Sequence, residues 1–245
     1  MSTEKKTLLP APDARLLLAA SFVRPGSAVC DVGTDHGYLP IYLILKGICP
    51  RAVAADVNAL PLEKAREHAA RYGCSDRISL YLGDGIKGAD LDEAGVRDIL
   101  ICGMGGELIA RILEEAEYTR RPGIRCILQP MSSACDLRQY LAEAGYRIEE
   151  EKLARAAGRI YTCMVVSYDG ICRRFSPAEY LLGQCHIARG RQDSLFDAYL
   201  RREIAGARKK YRGRVAGGLS VTAEKELLEE LERIAKKEGI PYDSI

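Results

Sequence analysis

A short segment rich in acidic residues and glycine has the composition of a ligand-binding loop. Residues Asp31–Tyr38 read DVGTDHGY and directly follow an apolar run. Gly33 allows the backbone to approach a ligand closely, and Gly37 eases the entry into a following helix. A dinucleotide fingerprint GxGxxG would require glycine where Asp35 and Tyr38 stand. Because Asp35 places an acid where a pyrophosphate would bind, the loop favours an ammonium-bearing ligand instead.

Three further loops carry Asp or Gly at the ends of later apolar runs. Asp56 ends the second run, where a carboxylate can accept hydrogen bonds from both ribose hydroxyls of a nucleoside. Asp84 follows the third run and could accept from an adenine amino group. The glycines of Gly103–Gly106 leave room for two reactants and expose carbonyl acceptors. Taken with the ammonium-binding loop, these features predict a site for S-adenosylmethionine.

The predicted site draws residues from all four loops. The predicted cofactor-binding residues are Asp31, Gly33, Thr34, Asp35, His36, Gly37, Asp56, Val57, Asp84, Gly85 and Gly103. The predicted catalytic residues, placed where a methyl group would be transferred, are Asp31, Gly103, Met104, Gly105 and Gly106. No metal is expected in this site.

Each of these residues also has a purely structural interpretation. Asp31 and Asp84 could cap turns, and Asp35 could be the N-cap of a helix. His36 could be a packed or capping histidine, and the glycines could be ordinary turn residues. The functional interpretation is favoured because four loops, each after a consecutive predicted strand, all carry Gly or Asp.

The elements that must position these loops alternate between apolar β-runs and helices. This alternation predicts a doubly wound α/β sheet, mostly parallel, with right-handed crossovers and the ligand at the carboxyl ends of the strands. The last two β-runs have only a turn between them, which predicts an antiparallel edge hairpin, as in Rossmann-like class I methyltransferase sheets. The predicted strands are Ala28–Val32, Ala52–Asp56, Ile78–Leu82, Asp98–Cys102, Cys126–Gln129, Arg147–Leu153 and Ile160–Tyr168, and the predicted helices are Arg15–Phe22, Leu39–Lys46, Pro61–Tyr72, Glu107–Glu115 and Ser132–Ala144.

Beyond about Ile171 the pattern becomes helical. Apolar residues recur at helical spacing on both sides of the glycine-bearing segment Arg212–Ser220, which predicts a C-terminal helical hairpin with its bend there. We therefore expect a methyltransferase domain over residues 1–170 and a coiled-coil-like helical domain over residues 171–245. Two amphipathic helices can bury their apolar faces against each other, so a monomer is expected.

Basic residues are concentrated in the first part of this helical region. The segment Arg189–Arg214 has nine basic and three acidic side chains, whereas the whole chain has a formal charge of only +2. Such a local excess favours binding to phosphates, although a solvated helix surface would look the same. The predicted RNA-binding residues are Arg189, Arg191, Arg201, Arg202, Arg208, Lys209 and Lys210.

Cysteine usage and hydropathy predict a cytoplasmic chain. The nine cysteines form no CxxC pair, which gives no sign of a disulfide framework or a zinc site. The N-terminal segment MSTEKKTLLP has no long apolar core before a cleavage site, and no apolar run approaches the length of a membrane span. We expect neither a membrane anchor nor an obligate protein partner.

The sequence also resembles the TrmK family of bacterial tRNA adenine-N1 methyltransferases. The resemblance runs from about Arg15 to Tyr168 through the segments CDVGTDHGYLPIYLI, ADVNALPLEKAREHA, LGDGI, ILICGMGGELIARIL, ILQP and GYRIEEEKLARAAGRIYTCMVV, and extends weakly into the C-terminal helices. It implies methyl transfer from S-adenosylmethionine to N1 of an adenosine in the tRNA D-arm, at position 22. The chain departs from the family pattern in APDARLLL and in LQPM, which leaves open the role of Arg15 and any polar role at Met131.

Other functions compete with this interpretation. A methyltransferase acting on another substrate would have the same cofactor loops, and a non-catalytic RNA-binding module could retain the fold. A dinucleotide-dependent oxidoreductase fits poorly because the glycine spacing fails. For the adenosine substrate, N1 already carries an in-plane lone pair, so orientation and exclusion of water would drive the reaction without a general base.

Overall fold

The computed structural model describes residues 11–242, so the N-terminal segment MSTEKKTLLP lies outside the described residues. Seven strands form one mixed sheet in the order β3-β2-β1-β4-β5-β7-β6, in which β7 is antiparallel to both neighbours and the other pairings are parallel. The predicted doubly wound sheet with an antiparallel edge hairpin is thus confirmed. The strands are β1 Ala28–Val32, β2 Ala52–Asp56, β3 Ile78–Leu82, β4 Val96–Gly105, β5 Arg125–Ser132, β6 Tyr146–Ala156 and β7 Arg159–Tyr168, and the helices are α1 Ala14–Phe22, α2 Tyr38–Leu45, α3 Ala59–Arg71, α4 Gly106–Glu115, α5 Ala134–Glu143, α6 Pro177–Leu182, α7 Gln184–Arg189, α8 Phe196–Ala216 and α9 Thr222–Glu238.

The centre of the sheet is buried on both faces. Every residue of β1 is buried, and its side chains divide between two apolar clusters. Cys30 and Val32 pack in one cluster with α4 and α5, and Val29 packs in the other with α1 and α2. Helices on both faces of a parallel sheet explain why its strands are continuous apolar runs. They also leave the strand ends as the accessible edge.

Strand β4 extends further than the sequence predicts. The sequence indicates a strand over Asp98–Cys102, whereas pairing with β5 continues irregularly to Gly105. The register shifts on both sides of Met104, so Gly103 and Met104 belong to a bulged strand end rather than to a free loop. Helix α4 then begins at Gly106, where an added Cβ would collide with the carbonyl oxygen of Ser133.

The bend of the helical hairpin lies later than the sequence predicts. Helix α8 continues through Gly213 to Ala216, and the bend lies between Gly217 and Val221, so the expectation of a bend over Arg212–Ser220 was wrong at its start. A helix tolerates one glycine at a cost of about 1 kcal/mol, which the packing of α8 against α9 can offset.

Two short helices, α6 and α7, were not predicted at all. Helix α6 begins with a capping box in which Ser176 and Glu179 exchange side-chain and backbone hydrogen bonds. Pro177 occupies its first turn, where no amide donor is needed. Each helix has only six residues, which is too short to give a clear hydrophobic period.

The C-terminal helices share a core with the edge hairpin. Leu153 of β6 and Ile160 of β7 pack in one cluster with Phe196 and Leu200 of α8. The residue boundary expected near 170 therefore separates two parts of the chain that are joined by buried contacts. Among residues 11–242, none of the helices is both long and apolar enough to cross a membrane.

Candidate active site

Two adjoining cavities lie at the carboxyl ends of β1, β2 and β4. The first has a volume of about 460 Å³ and is lined by Asp31, Asp35 and Gly103, among others. The second has a volume of about 310 Å³ and is lined by Asp56 and Asp84, among others. Gly33 and Met104 line both. The four predicted loops thus converge on one edge of the sheet.

Asp31 is a buried carboxylic acid that faces the first cavity. Its side chain stands at the end of β1 and is only 4% exposed. Burial raises the pKa of Asp31 to about 6, the hydroxyl of Thr34 partly opposes the shift, and the charges of Asp35 and Asp56 add to it. The charged groups among these neighbours are both carboxylates, so a bound cation would lower the pKa of Asp31 and stabilise its charged form.

The loop after β1 takes an unusual backbone conformation. Gly33, His36 and Gly37 all have positive φ angles, of 72°, 57° and 72°. The carbonyl oxygen of His36 lies 2.9 Å from Nδ1 of His68, and a proton assigned to that nitrogen makes it a donor. This contact holds the loop in a conformation that non-glycine residues seldom adopt.

Met104 closes the space above Gly33. Its terminal methyl group lies where a Cβ at position 33 would be, so any other residue at Gly33 would displace it. The methionine side chain therefore forms the boundary between the two cavities.

The second cavity contains the two carboxylates predicted to contact the nucleoside. The backbone N–H of Asn58 donates to Asp56 Oδ1 over 2.8 Å, which orients this carboxylate at the end of β2. Arg111 of α4 donates to both oxygens of Asp84, over 3.2 and 3.4 Å. Because both partners of this pair are about half exposed, the pair is weak and Asp84 can exchange it for another donor.

The sequence prediction missed Gln129, the residue that fixes the Gly103 turn. Gln129 is fully buried within β5, and its Oε1 accepts from the backbone amide of Gly103 over 3.2 Å and from Arg15 Nη1 over 2.8 Å. Its own amide group donates to the carbonyl of Pro130 over 2.9 Å. Arg15 and Met131 line the first cavity as well, so both departures from the family pattern lie at the site. A lone amide in the apolar segment ILQP was the available signal.

Several predicted site residues do not line either cavity. Gly106 packs against Ser133 and Gly37 against Ala65 of α3, so both serve close packing of helices. The other three predicted residues outside the cavity linings are Thr34, His36 and Gly105. Val57 and Gly85 line the second cavity.

Most of the predicted RNA-binding residues form ion pairs within the chain. Arg208 pairs with Glu232 over 2.8 Å and is largely buried, and Lys210 pairs with Glu224 over 3.6 Å. Arg189, Arg191 and Arg202 contact Glu150, Asp197 and Glu203 respectively. Arg201 and Lys209 are exposed. The positive charge of this segment is thus smaller than its composition suggests.

The doubly wound sheet and its acidic, glycine-bearing strand ends define a Rossmann-like methyltransferase domain. The family described as a methyltransferase domain matches residues 13–164. A Streptococcus pneumoniae protein, a candidate tRNA (m1A22) methyltransferase solved in complex with S-adenosyl-L-methionine, superimposes with a TM-score of 0.75 and 29% identity, over 90% of this chain and 97% of that chain.

A curated sequence and a solved structure, both from Bacillus subtilis, identify the family more closely. The tRNA (adenine(22)-N(1))-methyltransferase is 33% identical over 164 residues, which are 64% of this chain and 68% of that relative. The structure of the m1A22 tRNA methyltransferase TrmK has a TM-score of 0.74 at 26% identity, and covers 93% of this chain and 98% of that one. The chain belongs to the TrmK family of tRNA (adenine(22)-N(1))-methyltransferases.

Proposed function

We propose that this chain transfers a methyl group from S-adenosylmethionine to N1 of adenosine 22 in the D-arm of tRNA. The observation that carries the proposal is the convergence of Asp31, Asp56 and Asp84 on two adjoining cavities at one sheet edge. Similarity to the B. subtilis tRNA (adenine(22)-N(1))-methyltransferase supports the choice of substrate.

The donor groups of the site fit this cofactor. When bound, S-adenosylmethionine supplies an electrophilic sulfonium methyl group. The carboxylates of Asp31 and Asp35 suit the ammonium group of its amino-acid end, because both line the first cavity and a bound cation would stabilise the charged form of the buried Asp31. Asp56 can accept from the ribose hydroxyls, and Asp84 from the adenine amino group. Gly33 lines both cavities and so lies between these two ends.

The remaining part of the first cavity would take the target base. Gly103 has a φ of 79° and its turn is fixed by Gln129, so its carbonyl is a preorganised acceptor for the N6 group of adenine. Adenine N1 needs no general base, and these residues therefore act by orienting N1 and excluding water. The methylated base is a cation, which the Asp31 carboxylate would stabilise.

In the proposed function, the two parts of the chain bind different parts of the substrates. The part up to about residue 170 would bind the cofactor and the base, and the helices after it would contact tRNA through basic residues that include Arg201 and Lys209. Since α8 and α9 bury apolar residues within the chain, we propose a monomer. Because the proposed substrate is tRNA, we propose that the chain acts in the cytoplasm.

A methyl-transfer assay tests the proposal directly. The purified chain is incubated with labelled S-adenosylmethionine and an unmodified tRNA transcript, and a transcript with guanosine at position 22 is the matched control. We expect label at N1 of adenosine 22 and none in the control transcript. Equal labelling of the control would reject the target position, and no labelling of either would reject tRNA as the substrate.

A further inference from the structure

A larger groove lies between the edge hairpin, the end of β5 and the first half of α8. Its volume is about 690 Å³. The hairpin contributes Arg155, Arg159 and Tyr161 to its lining, and α8 contributes Tyr199 and Arg202. None of the residues predicted to bind the cofactor lines it.

The groove opens beside the candidate active site. Met131, which is 41% exposed, lines both the groove and the first cavity. Arg15 lines that cavity, and its guanidinium carbon lies 5.7 Å from the ring centre of Tyr161 in the groove. A nucleic-acid strand that leaves the active site past Met131 therefore enters the groove directly.

Unpaired arginine side chains stand at the rim of this groove. Arg155 and Arg159 are both exposed, and neither has an acidic partner within the part of the chain that the structure describes. The carboxylate of Glu203 also faces the groove, but Arg202 Nε donates to it over 2.8 Å. Guanidinium groups without a neighbouring acid are well suited to phosphate oxygens.

The floor of the groove offers apolar and aromatic surface. Tyr161, Ile160 and Leu181 line it together with Met131. Unstacked bases and riboses of a single strand pack on such surfaces, while their phosphates remain at a basic rim. The combination matches a single-stranded segment of nucleic acid better than a small anion.

The hairpin carries the two arginines on a rigid turn. Ala157 and Gly158 have φ angles of 46° and 74°, which is the pattern of a two-residue hairpin turn with both residues left-handed. The strands pair up to Ala156 and Arg159, immediately beside that turn. Binding would therefore require little ordering of the backbone.

We infer that this groove binds the sugar-phosphate backbone of the tRNA nucleotides next to the target adenosine, with Arg155 and Arg159 contacting phosphates. The inference rests on the proposed methyltransferase function. Turning the target base out of its pair to expose N1 disrupts the regular helix on either side of it, and contacts of this kind offset that cost.

The test compares two double variants. Arg155→Ala/Arg159→Ala removes the rim charges, and Arg66→Ala/Arg71→Ala removes the same charge from the exposed face of α3, outside all three cavities. We expect the rim variant to bind tRNA about tenfold more weakly, with a salt dependence less steep by about one to two ions. Its affinity for S-adenosylmethionine by calorimetry should equal that of the wild type. The α3 variant should match the wild type in both.

Crosslinking gives a second, independent result. A tRNA transcript with 4-thiouridine beside adenosine 22 is irradiated with the wild-type chain, and the crosslinked peptides are identified. We expect crosslinks within residues 155–162 or within Phe196–Glu203. Crosslinks confined to α9, or a rim variant that retains wild-type affinity and salt dependence while the wild type methylates tRNA, would refute the groove and leave the function standing. Failure of the wild type to methylate tRNA would instead refute the function.

Discussion

The strand-end site and the junction between the sheet and the C-terminal helices each bury an acidic side chain, but they neutralise it differently. Glu151 at the junction is fully buried and accepts from Arg138 Nε over 2.7 Å. Asp31 at the site is almost as deeply buried, and this burial raises its pKa to about 6. One oxygen of the first acid is paired with an arginine of the same chain, whereas the second acid forms no ion pair within residues 11–242.

The junction pair also connects two parts of the chain. Arg138 Nη1 donates to the carbonyl oxygens of Tyr180 and Leu181, over 3.1 and 2.8 Å. The hydroxyl of Tyr199 donates to the Leu181 carbonyl as well, over 3.0 Å. A single guanidinium group thus joins α5, β6 and the end of α6. The buried charge of Glu151 thus stabilises the fold through a partner within the chain, whereas the buried acid Asp31 is suited to pairing with a ligand.

The largest effect is expected from breaking the junction pair. Arg138→Met leaves Glu151 buried without a cation, which should lower the free energy of unfolding by about 3–5 kcal/mol in urea titrations. Replacing both partners, in Arg138→Met/Glu151→Leu, removes the uncompensated charge and should recover most of that loss. If the double variant is no more stable than the single one, the pair is not what holds the junction.

Removing the buried acid at the strand-end site should instead increase the stability of the chain. In Asp31→Asn the ionised, desolvated acid is gone, so at pH 8 the free energy of unfolding should rise by about 2–3 kcal/mol. Methyl transfer should nevertheless fall by about 100-fold in kcat/KM, because the charge that complements the cofactor is lost. Thermal denaturation and the tRNA assay measure the two effects. A less stable Asp31→Asn chain would contradict the contrast with Glu151.

A smaller effect is expected when pH titrates Asp31. Between about pH 4 and pH 6 the folded chain holds a proton that the unfolded chain has released, so stability falls as pH rises through this range. Affinity for S-adenosylmethionine should change in the other direction, decreasing about tenfold for each pH unit below 6 as the carboxylate is neutralised. Calorimetry between pH 5 and 8, with Asp31→Asn as the control that should show no such slope, decides whether Asp31 contacts the cation.

The sequence predicted those features that depend on neighbouring residues. Strands β1, β2 and β3 agree with the predicted runs residue for residue, because buried parallel strands are continuous apolar segments. The acidic and glycine residues at their ends followed from the same reasoning.

Features that depend on contacts across the chain could not be predicted in this way. Gln129 meets Arg15 across 114 positions, and Arg208 meets Glu232 across 24. The excess positive charge of Arg189–Arg214 was visible in the sequence, but its neutralisation by acids on other elements was not. Arg155 of β6 and Arg159 of β7 have no acidic partner among the described residues, and no local sequence pattern indicates this.

Met104 separates the two cavities by a side chain that can change its conformation. An unbranched thioether chain has three rotatable bonds, so Met104 can change rotamer without moving the strand that carries it. A molecule that spans both ends of the cleft then has to shift one methyl group rather than remodel the sheet. A β-branched residue at position 104 would have fewer rotamers and could not move aside in this way. The two cavities would then stay separated, and a nucleoside could not extend through both.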